Sequence, residues 1–93
     1  MTKVVLQLRG EPNTVTLDAD QTREFRRELA RAKKSAAKKA ANPLVAWDLA
    51  VTVRQGTKKT EYRLYARTIL QHAKTGKTWQ FYMGLLLLEW ASA

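Results

Sequence analysis

The sequence predicts an α+β domain, an antiparallel sheet in the order β-β-α-β-β-β with one long basic amphipathic helix packed across one face. Three observations predict it. Apolar residues recur at helical spacing over residues 21–41, they alternate with polar residues before and after that segment, and clusters of turn-forming residues separate the alternating runs.

Residues 3–9 place Val4, Leu6 and Leu8 on one side and Lys3, Gln7 and Arg9 on the other. Gly10-Glu11-Pro12-Asn13 is a turn cluster, and residues 14–17 resume the alternation with Val15 and Leu17, which reads as a short hairpin. Asp18 and Asp20 follow as N-cap candidates, with charge suited to the positive end of a helix dipole. The helix is expected over 21–41, closing with lysines and stopping at Asn42-Pro43. At ~100° per residue, Phe25, Leu29, Ala32, Ala36 and Ala40 share a stripe about 80° wide. Arg23, Arg27, Arg31, Lys34 and Lys38 share the opposite one, with Arg26 and Lys33 on one shoulder and Lys39 on the other.

After Pro43 the period changes to two. Val45, Trp47, Leu49, Val51 and Val53 form one face of a strand, and Gln55-Gly56-Thr57-Lys58-Lys59 is a turn. A second strand over 60–70 puts Tyr62, Leu64, Ala66, Thr68 and Leu70 on one face. A turn over 72–77 leads to a third over 78–87, with Trp79, Phe81, Met83, Leu85 and Leu87 aligned. The Leu-rich end could instead close as a helix; the strand reading is preferred. Turns centred on 57/58 and 74/75 would pair Val51 with Leu64 and Thr68 with Phe81, leaving every large apolar group on the helix-facing side, Trp47 and Trp79 included.

Ninety-three residues make at most one domain, 1–93, and 45% hydrophobic with 27% charged residues is a globular composition. With no cysteine and one histidine, thiolate and multi-histidine metal sites are excluded within one chain, and neither metal nor cofactor is expected. The N-terminal apolar run is broken by Gln7 and Arg9, unlike a signal peptide, and no run approaches the ~20 residues of a membrane span. A cytoplasmic protein with no membrane partner is expected. A net charge of +9 and a pI near 10.3 point to nucleic acid or an acidic protein surface as partner.

The helix concentrates that charge. Residues 21–41 hold eight cations against Glu24 and Glu28, and like charges four apart repel by a few tenths of a kcal/mol per pair. A polyanion lying along the stripe would recover that cost. Arg23, Arg27, Arg31, Lys34, Lys38 and Lys39 are therefore the candidate phosphate contacts. Lys74 and Lys77 are expected to join Lys33, Lys34, Lys38 and Lys39 at one end of the sheet, with Arg54, Lys58 and Lys59 at the other. The outer sheet face is a second candidate, where Arg63, Tyr65, Arg67 and Tyr82 would interleave as a stacking platform. Leu86 and Leu88 on that face would also suit a homodimer formed through the Leu-rich C-terminal segment.

Two tempting motifs fail. Gly76-Lys77-Thr78 lacks the earlier glycine of a phosphate loop, since position 71 is Gln71, and an alternating run follows it. His72 could serve a small ribonuclease toxin, but Glu61 would lie far away along the strand, so no catalytic residue is expected. The expectation is a small non-enzymatic nucleic-acid-binding protein. The alternative is a phage- or mobile-element-encoded inhibitor or accessory protein that binds an acidic surface or the nucleic-acid groove of a host enzyme.

Overall fold

A computed structural model of the chain describes residues 2–35, 38–39 and 47–92. The elements are β1 (Thr2–Leu8), β2 (Val15–Thr16), α1 (Ala19–Lys33), β3 (Lys38–Lys39), β4 (Leu49–Gln55), β5 (Lys58–Tyr65), β6 (Ile69–His72), β7 (Lys77–Gln80) and α2 (Gly84–Ser92). The strands form one antiparallel sheet in the order β2-β1-β4-β5-β6-β7-β3. The α+β class and the antiparallel sheet are as expected; the element order is richer.

The sequence alternation makes one face of the sheet apolar. Val4 and Leu6 stand opposite Val53 and Val51, Leu49 opposite Leu64, and Leu64 opposite Leu70. All are buried, together with Phe25 and Ala32 from α1, Leu87 from α2 and Phe81 between β7 and α2. Both helices therefore cover the same face. The Phe25 and Phe81 rings pack 5.6 Å apart at 51°. Each such fully buried large side chain contributes about 1.5–3 kcal/mol.

The start of α1 follows the sequence closely. The Asp18 carboxylate accepts the Gln21 N–H at 2.8 Å, and the Gln21 side chain accepts the Asp18 N–H at 3.0 Å, a reciprocal capping box. Its end does not. The helix stops at Lys33, with Lys34 as C-cap, and the Lys34 and Ser35 N–H groups turn back to Arg31 and Ala32. Ala32 is the last α1 side chain in the core. Further alanines offer little area to bury, while the open edge of β7 offers backbone partners, taken by Lys38 opposite Thr78 and Lys39 opposite Lys77. Lys38 and Lys39 are thus strand residues, and the long helix shortens to 15 residues. The stop expected at Asn42-Pro43 lies outside the described residues.

Two further corrections reshape the sheet. The β4–β5 loop is Gly56-Thr57, because a two-residue hairpin favours Gly at its first, positive-φ position, and Gly56 has φ 61°. Val51 therefore faces Tyr62 rather than Leu64. The expected strand over 60–70 is broken by a turn at Ala66-Arg67-Thr68, with Ala66 and Arg67 both at positive φ (49° and 64°), giving β5 and β6. The pairing of residues 69–71 with 78–80 then has the register expected for the last two strands.

The final strand ends at Gln80 rather than 87, and the Leu-rich segment forms α2. Gly84 lets α2 begin there. A Cβ on it would stand 1.8 Å from the Arg67 carbonyl oxygen and 3.1 Å from Leu64 Cδ1. Trp47 also differs from expectation. Its ring lies 5.1 Å from the guanidinium of Arg63, a strand position facing away from the core, whereas Trp79 packs against the core as expected. No helix among the described residues is long and apolar enough to cross a membrane.

Candidate functional site

The basic stripe of α1 is divided by its surroundings. Arg23 lies 3.4 Å from Asp20, with both side chains largely exposed. Arg31 is held by Glu28: its Nε and Nη2 donate to the two carboxylate oxygens at 2.6 and 2.7 Å, and Nη2 also reaches the Gln80 carbonyl. Arg31 further lies 4.5 Å over the Tyr82 ring. The Glu28 hydrogen bond holds the Arg31 guanidinium above its ordinary pKa, and the same bond holds the Glu28 carboxyl below its own. Arg27 and Lys34 are exposed, and Lys38 and Lys39 have left the helix for β3. The expected ridge of five cations is not continuous.

A different basic surface takes its place. Because the chain turns at 66–68, the 56–57 and 73–76 turns fall at the same end of the sheet, not at opposite ends. Lys58 and Lys59 therefore join Lys74 and Lys77. α1 starts beside Lys3 and Leu17 and crosses this end, so Arg26 and Lys33, seven residues apart on one helix face, look toward the turns.

Three hollows run along this end. The first, about 750 Å³, is lined by Lys3, Asp18, Thr22, Arg23, Arg26 and Arg27. The second, about 250 Å³, is lined by Arg26, Lys33, Gln55, Lys58 and Tyr62. The third, about 630 Å³, is lined by Lys58, Lys59, Glu61, Arg63, His72 and Lys74. Arg26 lines both the first and the second hollow and Lys58 both the second and the third, so the three adjoin as a basic track that passes from the helix-covered face to the outer face of β5. The carboxylates along it are engaged, Asp18 in capping α1 and Glu61 with Lys59 at 3.3 Å.

His72 sits at the crowded end of the track, where the 66–68 turn brings it into one hollow with Glu61 rather than far from it as expected. Its Nδ1 accepts the N–H groups of Lys74 and Thr75, both at 3.2 Å, which places the ring proton on Nε2. Its ring meets Tyr62 edge-on at 5.4 Å. The Lys33 ammonium donates to the Tyr62 hydroxyl at 2.7 Å and lies 5.2 and 5.7 Å from the Tyr62 and Trp79 rings. Burial, then the charges of Lys33, Lys74, Lys77 and Lys58, push the His72 pKa below its ordinary value.

Arg23, Arg27, Arg63 and Lys74 thus line the track, and Lys77 stands beside it. Arg31 lines two further hollows with Tyr82, outside the track, although Arg27 lines one of them as well as the first hollow. On the outer sheet face, Tyr65 is buried and Arg63 exposed; Arg67 is in the 66–68 turn and Tyr82 beyond β7, so the four do not form one platform. Sequence reasoning missed Lys3 and gave Arg26 and Lys33 only a shoulder position. The seven-residue spacing of the last two was the available signal. Among the described residues no three His, Asp or Glu side chains gather as metal ligands. No family model, curated protein or solved structure matches this chain, so function is argued from the site alone.

Proposed function

We propose that the protein is a non-enzymatic nucleic-acid-binding protein that holds the phosphate backbone along the basic track. One observation carries the reading: nine cations, Lys3, Arg23, Arg26, Arg27, Lys33, Lys58, Lys59, Arg63 and Lys74, line three hollows joined through Arg26 and Lys58. A linear polyanion matches an elongated surface on which nine cations outnumber two carboxylates, Asp18 and Glu61, and neutralising its phosphates releases counterions. Backbone contacts of this kind position a strand without reading bases, so sequence preference is low. The two hydrogen bonds that occupy His72 Nδ1 support a structural rather than a catalytic role for that ring.

The test is binding of labelled oligonucleotides across a salt series. If four to six phosphates are contacted, log affinity falls against log salt with a slope of about −3 to −5. Arg26→Glu with Lys58→Glu, at the two junctions, should lower affinity at least about tenfold and flatten the slope by roughly two, with the thermal melt little changed. Undiminished affinity in that double variant removes the proposal.

The rival reading is an accessory protein or inhibitor that meets another protein, or a second copy of this chain. It draws on Tyr82 and Leu85, which are 72% and 57% exposed. A stoichiometric protein partner that survives nuclease treatment would favour it.

A further inference from the structure

We propose that anion binding on the track and protonation of His72 are coupled, so that each strengthens the other. The inference rests on the nucleic-acid reading and adds a regulatory property to the same surface. His72 is surrounded from every packed element. Lys33 approaches from α1; Lys58, Lys59, Glu61, Tyr62 and Arg63 belong to β5; Lys74 lies in the 73–76 turn and Lys77 at the start of β7. Glu61 is the one carboxylate in that set, and Lys59 already engages it.

In the free protein two features oppose a positive charge on this ring. The lysines repel it, and Nδ1, the site that must accept the proton, already receives the Lys74 and Thr75 N–H groups. A bound phosphate chain changes both. Its negative charge offsets the lysines, which removes the repulsion. A proton taken from solvent by Nδ1 then breaks the two backbone hydrogen bonds, and the released N–H groups become donors on a surface already occupied by phosphate oxygens. Successive backbone N–H groups in a turn are ordinary anion ligands. The imidazolium adds one further cation. By reciprocity, whatever the anion does to the proton's affinity the proton does to the anion's.

The measurement is simple because the chain holds a single histidine, whose ring resonance needs no assignment among others. His72 is titrated by NMR in the free protein, with a saturating thymidine oligonucleotide, and with inorganic polyphosphate. We expect the midpoint to rise by about half a unit or more with ligand, and affinity to be about threefold higher at the acid limit than at the alkaline limit. In His72→Gln the pH dependence of affinity should vanish. In the free protein, Lys58→Gln and Lys74→Gln should each raise the midpoint. An unmoved midpoint with oligonucleotide bound overturns the coupling and leaves the proposed function standing. Absence of any oligonucleotide binding at low salt removes that function instead. Polyphosphate that binds and shifts the midpoint where the oligonucleotide does neither would keep the coupling and reassign the phosphate source.

Discussion

Replacing Glu28 by Gln tests whether the α1 stripe is tied into the fold or free to meet a ligand. The Glu28 carboxylate joins two parts of the chain. One oxygen accepts Arg31 Nε at 2.6 Å; the other accepts Arg31 Nη2 at 2.7 Å and the Tyr82 N–H at 2.8 Å, just before α2. Gln keeps the shape but loses the charge and turns one oxygen into an NH2 group facing a guanidinium. Hydrogen bonds to charged groups are worth about 1.5–3 kcal/mol each. The Arg31 side chain is 43% exposed against 15% for Glu28, so solvent screens much of that share. A net loss of about 1–2 kcal/mol at neutral pH follows, or roughly 4–16 °C in Tm for a domain of this size.

The pH dependence has a definite sign. The Arg31 hydrogen bond holds the Glu28 carboxyl below its ordinary value of 4.5, so its contribution is complete above that value and is lost as pH falls through the lower folded value. Thermal melts of the two proteins should therefore differ fully at pH 7 and converge in acid. Equal midpoints at pH 7, or an undiminished gap near pH 3, would refute the reasoning. The same variant frees Arg31 without touching the track, so oligonucleotide affinity should change less than about threefold at fixed salt. A tenfold rise would make the helix stripe the contact surface.

Gly84→Ala should destabilise the fold by about 3 kcal/mol or more, measured by urea unfolding, because its Cβ would fall 1.8 Å from the Arg67 backbone oxygen and cannot be absorbed by a side-chain rotation. Ala66→Gly should stabilise by up to about 1 kcal/mol in the same assay, since Ala66 holds φ 49° with a Cβ that Gly lacks; a loss of stability would contradict the left-handed turn. Phe25→Ala should cost about 3–5 kcal/mol, since the ring is fully buried against Phe81, and a Tm within a few degrees of the parent would refute that packing.

What could be read from the sequence was whatever a local pattern dictates. The hairpin of β1 and β2, the Asp18 cap, β4 and the face carrying Val4, Leu6, Val51 and Leu64 all follow from alternation and turn chemistry. The 66–68 turn left no such mark. Ala66-Arg67-Thr68 contains no Gly, Pro or Asn, and the alternation of residues 60–70 continues across it. That one hidden turn brought Lys58 and Lys59 to the same end as Lys74 and Lys77, which is why the track was not foreseen. α2 was hidden differently. Trp79, Phe81, Met83, Leu85 and Leu87 alternate as a strand would, yet only residues through Gln80 find a strand partner in β6, and Leu87 fills the core from a helix. The end of α1 was decided by a tertiary event, the pairing of β3 with β7, to which helix propensity is blind.

Among the described residues the sheet is bordered by β2 at one side and by β3 at the other, and β2 has two residues. A border as short as β2 gives an incoming chain little template to extend. On the proposed function, copies crowded on one nucleic acid meet at that side without an open strand to share, so a dense coating should dissolve again when salt is raised.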